Sequence, residues 1–184
     1  GCLDAAETNP FQFKYPVIVK PTDRSGSRGV TKVFRPDDLH SSIERALKES
    51  FDQEAIIEEF VEGKEISVEM ISYKGNHFPL AITDKITSGS PYFVELAHHQ
   101  PAAVETSQAD QIYKLVQNAL DCLGVENGAS HSELFLTHDN ELVFVEIGAR
   151  MGGDCIGSDL VELSTGYDFV KGVIDIALGQ FKGV

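Results

Sequence analysis

The sequence predicts a largely antiparallel α+β fold in two lobes. Three observations carry this reading: β-rich segments mostly follow one another through short turns, helical segments are interspersed rather than alternating strictly with strands, and no repeat, low-complexity tract or long linker interrupts the 184 residues. A division near Gly63 gives a small first lobe, residues 1–62, and a larger second lobe, residues 63–184.

The elements follow in order. YPVIVKP, Tyr15 to Pro21, reads as a short strand closed by proline. The polar glycine loop TDRSGSRGV comes next, and Gly29 to Phe34 form the returning strand. Leu39, Ile43, Ala46 and Leu47 recur at helical spacing and predict a helix over Asp37 to Ser50. Ala55 to Val61 form a strand ending in EEFVEG, and Glu65 to Tyr73 alternate as another. Gly75-Asn76 turns into a strand through Ile82, and Tyr92 to Ala97 are a further candidate. Ile112, Leu115, Val116, Ala119 and Leu120 predict a helix over Ser107 to Leu123, with Gly124 at its C-terminal end. A hairpin occupies His131 to Arg150. The glycine-rich MGGDCIGS then leads to helices near Asp159 to Leu163 and Tyr167 to Leu178.

A hydrophobic fraction of 42% is that of a soluble globular chain with a sizeable core. The formal net charge of −14 argues against a nucleic acid partner and against anionic membrane surfaces, both of which need a basic face. It leaves room for a nucleotide, which needs only a local cationic pocket. Cys2, Cys122 and Cys155 show no metal-ligand spacing and read as free thiols in a reducing compartment, with the cytoplasm as default. The chain does not begin with Met, and the reading at this level is an excised fragment whose preceding domain is absent, Gly1 being a cloning remnant.

Three stretches could carry chemistry. In VIVKPTDRSGSRGV, Lys20 stands at a strand end, followed by Ser25, Gly26, Ser27, Arg28 and Gly29. Small residues let backbone N–H groups approach anionic oxygens, and Lys20 and Arg28 could add charge-assisted bonds. An ordinary hairpin turn explains the same residues. In IIEEFVEGKE, the strand end leaves backbone groups near Glu59, Phe60 and Val61 that suit the donor and acceptor edge of adenine, and Glu65 suits ribose hydroxyls; a solvated acidic edge strand is the plain alternative.

The third stretch is HSELFLTHDNELVFVEIGAR. With Asp139-Asn140 as a two-residue loop, His138 pairs with Glu141 and Glu133 stands opposite Glu146. Like charges facing each other destabilise a ladder, and Leu142, Val143, Phe144, Val145 and Ile147 surround Glu146 on both faces of its strand. A divalent cation resolves this: Mg²⁺ takes hard oxygen ligands, and Glu133 and Glu146 would clamp it. Arg150 could reach a phosphate or a substrate carboxylate. His131 shares Glu133's face by strand parity, as a support for the metal ligand, a substrate contact or a structural histidine; His98 and His99 receive no role. Neutralisation of the acids by local lysines such as Lys64 or Lys85 is the competing account.

With VIVKP and SGSRGV, EEFVEGKE, HSELF and FVEIGARMGG in this order, the chain from about Tyr15 to about Asp168 resembles an ATP-grasp domain of the biotin-carboxylase-like and carbamoyl-phosphate-synthase-like branches, with glycinamide ribonucleotide-type enzymes and amino-acid ligases among them. The resemblance implies ATP between two α+β lobes. Lys20 then contacts the α and β phosphates, Glu58, Glu59, Phe60 and Val61 form the adenine hinge, and Glu65 binds ribose. Glu133 and Glu146 bind Mg²⁺, for which Mn²⁺ can substitute, and Arg150 lies near the γ-phosphate or the acyl substrate. The implied reaction is ATP-dependent ligation of a small carboxylate to an amine or thiol through an acyl phosphate, in a full-length protein that can be a homodimer. The alternative is a non-catalytic nucleotide-binding module or a carbamoyl-phosphate-synthase-like subunit fragment. Gly148 replaces an asparagine that many family members use as a further metal ligand, which puts two-metal stoichiometry in doubt. The fragment alone is expected to turn over little or nothing.

Overall fold

A computed structural model describes residues 13–90 and 93–184. Gly1, Cys2 and the strand start expected at Tyr92 lie outside the described residues. The chain divides into two compact units, one of residues 1–61 with 87–96, the other of residues 62–86 with 97–184.

The first unit is built on a three-stranded antiparallel sheet of order β2-β1-β3, with β1 at Val17–Pro21, β2 at Thr31–Val33 and β3 at Ala55–Glu59. Alternation sends Val17 and Val19 inward, where they meet Val33 and the apolar side of helix α1 (Leu39–Glu49), formed by Leu39, Ile43 and Ala46. The helix begins two residues later than expected because Pro36 opens a tight single turn, Pro36–Asp38, before it. Ser42 Oγ donates to the Asp38 carbonyl at 2.8 Å.

The second unit carries a five-stranded sheet of order β6-β5-β4-β7-β8. Its strands are β4 (Gly63–Tyr73), β5 (Asn76–Thr87), β6 (Glu95–His99), β7 (Gly128–Thr137) and β8 (Leu142–Gly148), and the β4–β5, β4–β7 and β7–β8 pairs are antiparallel. β5 extends five residues beyond the expected Ile82, because Thr83 and Lys85 continue its alternation with polar side chains. Helix α2 (Thr106–Cys122) lays Ile112, Val116 and Leu120 on Ile66, Val68, Met70, Ile82 and Leu134 of one sheet face. Helix α4 (Phe169–Ala177) closes a smaller core with Ile71 and Val161. It is capped by the Asp168 carboxylate, which accepts the Lys171 N–H at 2.8 Å. A wide π-type turn, Ile156–Leu160, runs into the short helix α3 (Val161–Thr165), ended by Gly166 at φ 78°.

The β7–β8 hairpin places Glu133 opposite Glu146, as expected, but by another route. The loop has three residues, His138 to Asn140, with Asn140 left-handed at φ 61° and the Thr137 N–H on the Glu141 carbonyl at 2.9 Å. Leu136 therefore faces Leu142 and Leu134 faces Phe144; Val145 then forms a β-bulge that brings Glu146 opposite Glu133. The bulge has a physical cause. Strict alternation would send Leu142, Phe144 and Glu146 to one face; instead Leu142, Phe144 and Ile147 all pack on the α2 side, and Glu146 takes Glu133's side. One other expectation changes here. Glu146 is not enclosed by its apolar neighbours, since β8 is an edge strand and the Glu146 side chain is 49% exposed. Among the described residues, no helix is long and apolar enough to cross a membrane. Cys122 and Cys155 are free and exposed.

Candidate active site

In the first unit, Lys20 projects from β1 and its Nζ lies 2.8 Å from Glu58 Oε2 on β3. Glu58 is not the residue directly across from Lys20, which is Ile56, but the diagonal neighbour paired with Ile18. The glycine turn is built from left-handed residues: Gly26 at φ 66°, Ser27 at 55° and Gly29 at 75°. Ser25, Gly26 and Arg28 are exposed, and Ser27 Oγ donates to the Phe93 carbonyl at 2.9 Å. Gly29 is confined on two counts, because a Cβ there would stand 2.9 Å from Pro21 Cγ and 3.1 Å from Glu49 Cβ. At the end of β3, Glu59 pairs with Val17 and the Phe60 N–H donates to the Pro16 carbonyl at 3.3 Å. That bond takes the Phe60 N–H out of the set of hinge groups open to a base. Lys32 Nζ sits 3.3 Å from the Phe60 ring centroid, a cation–π contact.

In the second unit, the sheet face away from α2 is apolar at one end, where Ile71 and Ala129 lie in the α4 core, and polar at the other. Glu65, Ser67 and Glu69 of β4 lie on it by alternation, with Lys85 of β5, His131 and Glu133 of β7 and Glu146 of β8. Lys85 is one of the two lysines that the sequence offers as neutralisers of the acids, and it stands against Glu133; its simultaneous hold on Glu65 is what the sequence does not show. Its Nζ, on a side chain only 2% exposed, is 2.9 Å from Glu65 Oε1 and 2.9 Å from Glu133 Oε1, so one buried cation joins the acid assigned to ribose and the acid assigned to metal. The available signal was a lysine at the inward phase of a strand otherwise made of Leu80, Ala81, Ile82 and Thr83.

Glu133 has a second cationic partner. His131 Nε2 is 3.0 Å from Glu133 Oε1, and His131 Nδ1 is hydrogen-bonded to Glu69. Burial alone would lower the His131 pKa, but hydrogen bonds with Glu133 and Glu69, and their charges, raise it to about 9. For Glu133, burial works upward, yet the bond from His131 and the charge of Lys85 bring its pKa down to about 2. The carboxylate is thus held as an anion. Glu146 lies opposite with Arg150 Nη2 3.9 Å from its Oε1, and Arg150 Nη1 donates to the Met151 carbonyl at 2.8 Å. Gly148 leaves the space in which the arginine stem lies; a Cβ there would meet Arg150 Cγ at 3.3 Å.

As a donor set, Glu133 and Glu146 offer hard oxygens on one face, one of them firmly anionic and the other accessible, which fits a hard divalent cation. Among the other described residues discussed above, His131 serves the carboxylates rather than presenting a free nitrogen.

A family profile described as the ATP-grasp domain matches residues 13–159. The alanine–anticapsin ligase of Bacillus subtilis is 30% identical over 160 residues, covering 75% of this chain and 34% of the ligase. A D-alanine–D-alanine ligase of Christiangramia forsetii is 33% identical over 146 residues, covering 74% of this chain and 43% of the ligase. The crystal structure of an L-amino acid ligase from Bacillus licheniformis superposes with a TM-score of 0.77 at 30% identity, over 92% of this chain and 41% of that one. The chain thus spans well under half the length of these relatives. With the profile running from just before the strand that carries Lys20 to beyond the Glu133–Glu146 hairpin, the chain belongs to the ATP-grasp family.

Proposed function

We propose that this chain is the ATP-binding catalytic portion of a ligase that joins a small carboxylic acid to an amine through an acyl phosphate. The observation that carries the reading is the polar end of the sheet face on which Lys85 bridges Glu65 and Glu133, with Glu146 across the ladder, in a chain whose relatives are amino-acid ligases.

Each group has a task that its position suits. Lys20, Ser25, Gly26, Ser27, Arg28 and Gly29 bind phosphate oxygens; Glu58 competes with them for Lys20 until a phosphate replaces it. Glu58, Glu59, Phe60 and Val61 border the base, and Glu65 takes the ribose hydroxyls. Glu133 and Glu146 would hold Mg²⁺, which when bound supplies positive charge to the phosphate oxygens. Lys85 keeps Glu65 and Glu133 in place, while Arg150 stabilises negative charge on the transferring phosphoryl group and orients the acyl substrate. A carboxylate oxygen of the substrate attacks the γ-phosphorus and ADP leaves. The amine then attacks the acyl carbon, inorganic phosphate leaves, and the amine proton passes to solvent. The protein's contribution is positioning and charge neutralisation, with no covalent nucleophile required.

The test is oxygen tracing in the full-length protein: an ¹⁸O-labelled amino-acid carboxylate should deliver one label to the released phosphate. Phosphate free of label, with product formed, would sink the acyl phosphate. A nucleotide-binding module without turnover is the second reading. Lys85 and His131 already neutralise Glu133 without an ion, and this favours it; ADP release with no amino acid in a broad panel, alongside normal ATP binding, would establish it.

A further inference from the structure

We infer that Glu69 is a positioning residue which fixes the metal-binding carboxylate of Glu133 through His131, and that Gly152 is the backbone element that locks the relay; the inference rests on the reading of Glu133 above.

Glu69 lies in the middle of β4 with 0% exposure, flanked in sequence by Val68 and Met70 of the core. A carboxylate so placed is costly unless its oxygens are satisfied. Both are. Oε1 is hydrogen-bonded to His131 Nδ1, and Oε2 accepts the Gly152 N–H at 3.1 Å. His131 is itself 3% exposed, and its remaining nitrogen reaches Glu133 Oε1 at 3.0 Å. The imidazole is therefore pinned at both ends, and the end that faces Glu133 has its direction set from behind by Glu69. Removing the anchor leaves the ring free to turn and removes one of the two cationic groups that hold Glu133, the other being Lys85.

Gly152 ties this relay to the other side of the metal pair. It lies in the connection that leaves β8, the strand of Glu146. A Cβ on it would stand 2.9 Å from Glu69 Oε1, 2.9 Å from His131 Nδ1 and 3.1 Å from Ile156 Cβ. Only glycine lets the backbone come close enough to donate to Glu69. One buried carboxylate thus sets both the support of Glu133 and the exit of the strand that carries Glu146.

A merely stabilising buried ion pair predicts a different result from a positioning device. The full-length protein is prepared as wild type, Glu69→Gln, Gly152→Ala and Glu133→Gln. Free Mn²⁺ is followed by electron paramagnetic resonance in the presence of ADP, and thermal unfolding is followed without metal. Glutamine puts an NH₂ group where one of the two carboxylate oxygens stands, so a donor of either His131 or Gly152 then faces a donor. Glu69→Gln should remain folded and bind Mn²⁺ about 10–100-fold more weakly, the range for lost supports of metal ligands, with metal-free ADP affinity unchanged. Gly152→Ala, which keeps every charge, should weaken Mn²⁺ in the same direction and serves in place of Glu69→Gln if that variant does not fold. Mn²⁺ affinity within twofold of wild type in the folded variant, while Glu133→Gln loses it, overturns the positioning role. Unchanged affinity in Glu133→Gln overturns the reading of Glu133 and the inference with it.

Discussion

Glu133 and Glu146 face each other across the β7–β8 ladder, yet one is 15% exposed and held by Lys85 and His131 while the other is 49% exposed with Arg150 Nη2 3.9 Å from its Oε1. The pair is therefore unequal before any ion arrives. Glu133→Gln, which weakens charge-assisted bonds to two buried cations, should cost about 1.5–3 kcal/mol of stability. Glu146→Gln, at an exposed position, should change stability by less than about 0.5 kcal/mol. Both should weaken Mn²⁺ binding in the presence of ADP. Urea unfolding without metal measures the first contrast and calorimetry the second; equal stability losses would contradict the asymmetry.

The same network predicts a pH profile for the metal-free protein. His131 is raised from 6.5 to about 9, so its contribution is full below about pH 6.5 and is lost as pH rises through about 9. Glu133 is lowered from 4.5 to about 2, so its contribution is present above about pH 4.5 and is lost as pH falls through about 2. The two together are complete between these inner limits. Stability should fall between pH 7 and 9.5, and His131→Asn should flatten that limb. A variant with the wild-type slope would show that another group titrates there.

Lys20 is expected to serve phosphates and not the base. Lys20→Met should weaken ADP binding by roughly 10–100-fold, the equivalent of one charge-assisted bond, and leave adenosine binding unchanged. Calorimetry with both ligands decides, and equal losses for the two would place Lys20 elsewhere.

Two glycines in the same turn should respond differently to alanine. Gly26 is at φ 66° with nothing near the position of a Cβ, so Gly26→Ala should cost about 1 kcal/mol of backbone strain. Gly29 adds the contacts with Pro21 and Glu49, and Gly29→Ala should cost about 1–3 kcal/mol more. Urea midpoints of the two variants give the difference directly.

Much of this was legible in the chain because it depends on local periodicity. The apolar spacing of α1 and α2 placed both helices within two residues of where they lie, and the two acids of the hairpin were paired correctly. The route to that pairing was not legible. Asn140 supports either a two- or a three-residue loop, and only the competition of Leu142 and Phe144 for the α2 face selects the longer one with a bulge at Val145. The exposure of Glu146 was also hidden, because a run of apolar residues does not say that its strand is at an edge. Glu69 escaped for a third reason. It acts on a histidine 62 residues away, and no local pattern marks such a meeting.

The extra residue at Val145 also separates two selective pressures within one short strand. The turn end of β8 answers to the apolar layer through Leu142 and Phe144, and the far end answers to the carboxylates through Glu146. Between them the alternation restarts. The direction of Glu146 therefore depends on Leu142, Phe144 and Ile147 all keeping the α2 face, since it is their common side that the extra residue reconciles with the carboxylate pair.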